Sequence, residues 1–116
     1  MPSNARFMIE ERLALQQTPA YDYYCQMIPK CVMGMLQAPV YESLPTIHVP
    51  TLILYGQNDA LIPNKLLHPT LTTKKVAESG QQQIPNSQLQ LIENAGHFVQ
   101  WEKSTEINNA IITFLR

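Results

Sequence analysis

The spacing of apolar positions changes partway along the chain, and that change divides it. Over residues 1–38 the spacing is helical. In RFMIEERLALQQ, Phe7, Met8, Ile9, Leu13 and Leu15 form a loose stripe that must end before Pro19. A second helix then starts with Thr18 as N-cap, Pro19 at the first helical position and Asp22 in the first turn. From there Tyr21, Tyr24, Cys25, Ile28, Val32 and Met35 share one helical face. Pro29 lies inside that pattern and predicts a kink or a split into two helices. Pro39 and Pro45 bracket a linker, APVYESLP.

From Ile47 the pattern is different. Residues 51–55, TLILY, are a short unbroken apolar run, as expected of a strand buried on both faces in a parallel sheet. The turn formers of GQNDALIP follow. Residues 72–79 predict a helix closed by Gly80 as its C-terminal cap. After IPNS, residues 88–93 (QLQLIE) predict a second strand, and ENAGH a second loop. The last helix has Ile107, Ala110, Ile111, Phe114 and Leu115 on one face, with Ser104 as N-cap and Glu106 near its positive end. Strand–loop–helix–strand–loop–helix is the order of a right-handed crossover in an α/β fold. Two parallel strands are too few for an independent sheet, so the pattern predicts the end of something larger.

Composition narrows the function classes. At 116 residues there is room for one small domain, and 45% apolar against 15% charged residues makes it core-forming rather than disordered. Eight basic and nine acidic residues, with no basic run beyond Lys74-Lys75, argue against a nucleic-acid surface. Apolar runs such as residues 31–36 are far short of a membrane span. The amino-terminal MPSNARFMIEER lacks the apolar stretch of a signal peptide. Cys25 and Cys31, six apart, predict buried free thiols and not a disulfide or a metal pair. His48, His68 and His97 show no ligand spacing, so no metal is expected. These features together predict a cytoplasmic protein.

The chemistry concentrates where the two strands end. Ligand sites in open α/β sheets lie outside the carboxyl ends of the strands. Asp59 follows the first strand by four residues and His97 follows the second by four. Adjacent parallel strands would bring these loops side by side, and a carboxylate on a histidine fixes its tautomer and stabilises the imidazolium. Gly56 and Gly96 are expected to let the chain turn sharply before each residue. Each residue also has a simpler explanation. Asp59 could be an ordinary turn former, and His97 a loop histidine bonded to a backbone carbonyl.

HVPTLILYGQNDALIP resembles the segment of the α/β-hydrolase superfamily that delivers the catalytic acid, and NSQLQLIENAGHFVQWE the segment that delivers the catalytic histidine. EINNAIITFL is similar to that family's final helix, and the order acid then histidine agrees with the family's order. The resemblance covers roughly residues 39–116. It implies an α/β fold consisting of the C-terminal part of an α/β-hydrolase: two parallel strands with flanking helices, preceded by helices from the cap. Residues 1–45 would be the end of the cap with its return linker, and residues 46–116 the end of the core. It implies Asp59 as triad acid and His97 as base; Glu93 and Glu102 are weaker alternatives for the acid.

Phe98 and Trp101 could line a substrate pocket or pack the last helix onto the sheet. Tyr21, Tyr24, Met27 and Met35 could roof an acyl pocket or simply pack the cap. LLHPTLTTKK could line the site entrance or be a surface insertion. The family's nucleophile elbow, G-x-S-x-G, is absent: Ser3, Ser43, Ser79, Ser87 and Ser104 all lack flanking glycines. The resemblance therefore implies two triad members without the third, in a chain shortened at Met1 and inactive alone. The expected partner is a small-molecule substrate of the full-length enzyme, whose reaction by this resemblance needs no metal and no organic cofactor. A homodimer or a complementing N-terminal half remains open, as does a non-catalytic interaction module.

Overall fold

A computed structural model describes residues 6–116; residues 1–5, the beginning of the stretch expected to be helical, lie outside them. The chain forms two compact units, Met1–Glu42 and Ser43–Arg116. The first contains helices α1 (Phe7–Leu15) and α2 (Ala20–Gln37). The second contains β1 (Thr51–Gly56), α3 (Thr73–Gln83), β2 (Ser87–Ile92), α4 (Val99–Glu102) and α5 (Ser104–Phe114). A 3-10 helix, Tyr41–Thr46, lies at the junction.

In the first unit, Thr18 does not cap α2. Its hydroxyl donates to the Leu15 carbonyl at 2.9 Å and so closes the end of α1. The residue before α2 is Pro19, already in the right-handed helical region, where a side-chain cap cannot form. Nor does Pro29 split the helix: α2 runs through it as one element of 18 residues. Proline removes one N–H and disturbs one turn, a cost of about 3 kcal/mol that a long helix can absorb. Tyr21 stacks on Tyr24, and the Arg12 guanidinium lies 4.1 Å from the Tyr24 ring centroid. Cys25 and Cys31 are exposed free thiols, not buried ones, because α2 buries none of its residues.

The second unit is a mixed α/β structure. β1 and β2 are parallel and in register from Thr51 opposite Ser87 to Gly56 opposite Ile92. Both strands therefore end level, and the loops carrying Asp59 and His97 leave from the same edge. Partners in this register share a face, so Leu54 and Ile92 lie on the same side of the sheet. There they pack with Ala95, Ile107 and Val99 into the apolar cluster beneath the loops. Thr51 to Tyr55 are only half-buried, contrary to the expectation of burial on both faces. A two-stranded sheet has no further strands to enclose β1, and its second edge is unpaired among the described residues.

Two helix boundaries of the second unit differ from the sequence pattern. The Thr72 side chain caps α3 by accepting from the Lys75 amide at 3.2 Å, but the helix continues past Gly80 to Gln83. Gly80 is not in the left-handed conformation of a C-cap. The glutamines that follow it are good helix formers, and Pro85 is the residue that prevents further extension. Ser104 is the first residue of α5 and not its cap, since the short helix α4 feeds directly into it through Lys103. Of the apolar face of α5, Ile107 is buried, Ala110 and Phe114 are half-buried, and Ile111 and Leu115 are exposed.

Gly56 has a different role from a sharp turn. Its φ is not positive, but a Cβ there would lie 2.7 Å from the Ala95 carbonyl oxygen and would clash with the Gly96 carbonyl oxygen. Both obstacles are backbone, so neither can move cheaply. Gly56→Ala should therefore push the two loops apart and lower stability by about 1–3 kcal/mol. A denaturation midpoint equal to that of the parent would show that the loops do not pack this closely.

Candidate active site

The two loops are joined by backbone before any side chain is considered. The Gln57 amide donates to the Ile92 carbonyl at 2.9 Å, and the Asn58 amide to the Ala95 carbonyl at 2.8 Å. Asn94, in the left-handed region at φ 52°, turns the chain so that Ala95 can accept that bond. The Thr73 hydroxyl, at the start of α3, lies 2.8 Å from the Ile62 carbonyl and 3.2 Å from the Asp59 carbonyl, anchoring the acid loop from below. Nothing in the spacing of polar residues singles out Thr73, because its partners are backbone atoms of a distant loop.

On this frame Asp59 Oδ2 and His97 Nδ1 meet at 2.9 Å, although 38 residues separate them in sequence. The Asp59 side chain is 4% exposed and the His97 side chain 37% exposed. Asp59 Oδ1 accepts from the amides of Leu61 at 2.8 Å and Ile62 at 3.1 Å. Burial pushes the Asp59 carboxyl up, but the hydrogen bond from His97, the two amide bonds and the attraction of the imidazole outweigh it. The net result is a carboxyl held below the usual range. An ionised carboxylate only accepts, so Nδ1 must carry the hydrogen between them. In the neutral ring Nε2 then keeps its lone pair, which is the arrangement needed to take a proton from another group.

A cavity of about 230 Å³ opens beside the pair, lined by Leu54, Tyr55, Gly56, Ile62, Val99 and Gln100 together with Asp59 and His97 themselves. Phe98 meets the His97 ring edge to face at a centroid distance of 5.4 Å, and Trp101 meets Phe98 at 6.4 Å. Neither aromatic ring is among the cavity-lining residues. A larger groove, about 460 Å³, lies elsewhere, between the sheet and α5, and contains neither Asp59 nor His97. Glu93 is exposed, whereas Glu102 is half-buried and bonds the Gly96 amide at 2.8 Å. Among the described residues no group of three or more His, Cys, Asp or Glu side chains could hold a metal ion. No described helix is long and apolar enough to cross a membrane.

The chain is 35% identical over 81 residues to 2-hydroxy-6-oxononadienedioate/2-hydroxy-6-oxononatrienedioate hydrolase 2 of Pseudomonas putida, a match covering 69% of this chain and 25% of that protein. To hydrolase 1 of the same name and organism it is 33% identical, over 64% of this chain and 22% of the relative. The carboxylesterase YbfK of Bacillus subtilis is 24% identical over the same shares. These relatives are α/β-hydrolase family members, and the likeness supports the same superfamily for this chain. Its two-stranded parallel sheet with flanking helices is part of an α/β-hydrolase fold, and it spans about a quarter of the length of the curated relatives it matches. No family model and no solved structure matches it.

Proposed function

We propose that these residues form the C-terminal portion of a serine-type hydrolase, in which His97 is the general base and Asp59 holds its imidazole. The contact between Asp59 Oδ2 and His97 Nδ1 carries the proposal, because it joins a buried, ionised carboxylate to a partly exposed ring beside a cavity. Residues 1–45 would belong to the cap and residues 46–116 to the core. The nucleophile would come from chain outside this sequence, adding strands to the unpaired edge of β1. These residues alone would then be inactive.

In the reaction His97 Nε2 takes the proton of the serine hydroxyl as its oxygen bonds to the substrate carbonyl carbon. That proton passes to the leaving group as the bond to it breaks. Water, activated by the same nitrogen, then releases the acyl group and restores the serine. Protein groups suffice for each transfer. The relatives' names specify hydroxy-oxo dicarboxylates in the two Pseudomonas proteins and a carboxylic ester in the Bacillus one. We therefore assign a small molecule with a carbonyl carbon open to attack. Phe98 would support the His97 ring from outside the cavity, with Trp101 packed behind Phe98. The free thiols Cys25 and Cys31 suit a reducing compartment such as the cytoplasm.

The test is the coding DNA upstream of Met1 in the native source, with the intact mass of the natural protein. An in-frame extension containing a G-x-S-x-G elbow, and a heavier native mass, is the expected result. A stop codon just upstream together with a native mass of 13.2 kDa would overturn the fragment reading. The unpaired edge of β1 would then point to a partner chain carrying the nucleophile, or to an interaction module.

A further inference from the structure

His97 is held by more than its carboxylate partner. The residue before it, Gly96, donates its amide to Glu102 Oε2 at 2.8 Å. Glu102 reaches back six residues because α4 turns the chain through one tight helical turn, with the amides of Trp101 and Glu102 both bonding the Phe98 carbonyl. The fit is close: a Cβ on Gly96 would lie 3.0 Å from Glu102 Oε1. On the other side of Gly96, Ala95 is buried and its carbonyl accepts from Asn58 in the acid loop. The backbone leading into His97 is thus fixed at two successive residues, once from the acid loop and once from Glu102. A charged acceptor on a backbone N–H is stronger than a neutral one, and an N–H left unpaired in a partly enclosed loop is costly.

We infer that Glu102 is a positioning residue for the base: by accepting the Gly96 amide it sets where the His97 ring stands relative to Asp59 and to the reacting atoms. This rests on the proposed role of His97. Glu102 makes its bond to backbone and not to the imidazole, so what it must supply is an acceptor oxygen at the right reach. Glu102→Gln keeps such an oxygen. Glu102→Ala removes it, and Glu102→Asp withdraws it by one methylene.

The test is steady-state kinetics of the complete enzyme carrying these residues, on a 4-nitrophenyl ester, with Asp59→Asn in parallel. We expect Glu102→Ala and Glu102→Asp to lower kcat by about 10- to 100-fold with KM little changed, and Glu102→Gln to stay within a few-fold of the parent. Gly96 amide exchange should be fast in the Ala variant and slow in the Gln variant. If the Ala variant does not fold, the Asp variant gives the same comparison. Parent-like kcat in Glu102→Ala or Glu102→Asp, or a Gln variant as slow as the Asp variant, would overturn the inference. The Asp59→Asn control separates the two failures. If Asp59→Asn is slow while the Glu102 variants are not, only the role of Glu102 falls; if Asp59→Asn is as fast as the parent, the acid–base reading itself falls.

Discussion

Replacing His97 by Gln in the complete enzyme is expected to lower kcat by up to about 10⁶-fold, the scale on which a triad histidine acts in a serine hydrolase. The loss should be chemical and not structural. His97 is partly exposed, and Gln can still donate an N–H to Asp59 Oδ2, so the buried carboxylate keeps a partner. What disappears is the second ring nitrogen, which takes the proton from the nucleophile. Thermal unfolding of the variant within a few degrees of the parent, alongside the kinetic loss, would separate the two causes. A variant with parent-like kcat would remove His97 from the reaction.

Asp59→Asn should cost about 10⁴-fold in kcat, through the tautomer. The Asn carbonyl oxygen can replace Oδ1 as acceptor for the Leu61 and Ile62 amides. That leaves an NH₂ group facing His97 Nδ1, which must then accept, so the ring proton moves to Nε2. A base already protonated where it should receive a proton is disabled with its geometry intact. The same substitution has a stability signature. The folded-state carboxyl titrates below its ordinary value, so its contribution to stability is complete above the unfolded value near 3.9. It is lost as pH falls through the lower folded value. The parent should therefore lose stability on acidification through this range more steeply than Asp59→Asn, measured by denaturant unfolding at a series of pH values. Equal slopes would mean that Asp59 is not held in its ionised form by the fold.

Much of the second unit was legible because strand signals and loop chemistry are local. TLILY and QLQLI each carry their own apolar pattern, and parallel pairing ends the two strands level at Gly56 and Ile92, so that Asp59, three residues on, and His97, five residues on, lie at a common end and could be matched across 38 residues. The helix ends were less legible. Thr18, Gly80 and Ser104 are all residue types that mark boundaries, yet whether each one does depends on the turn around it. Thr18 bonds backward to Leu15, Gly80 is passed by a run of helix formers, and Ser104 is preempted by α4. The half-burial of β1 and the exposure of Cys25 and Cys31 follow from how few neighbours these residues have, which composition does not report. Glu102 and Thr73 were missed as supports of the site because both act on backbone atoms, and backbone partners leave no mark in residue types.

The most direct test of the central claim is the rate of the complete enzyme with His97→Gln and Asp59→Asn combined, compared with each alone. If Asp59 acts only by orienting His97, the double variant will be no slower than His97→Gln by itself, because removing the base leaves nothing for the carboxylate to orient. Losses that multiply would show two independent contributions and contradict an acid–base pair built on the contact between Asp59 Oδ2 and His97 Nδ1.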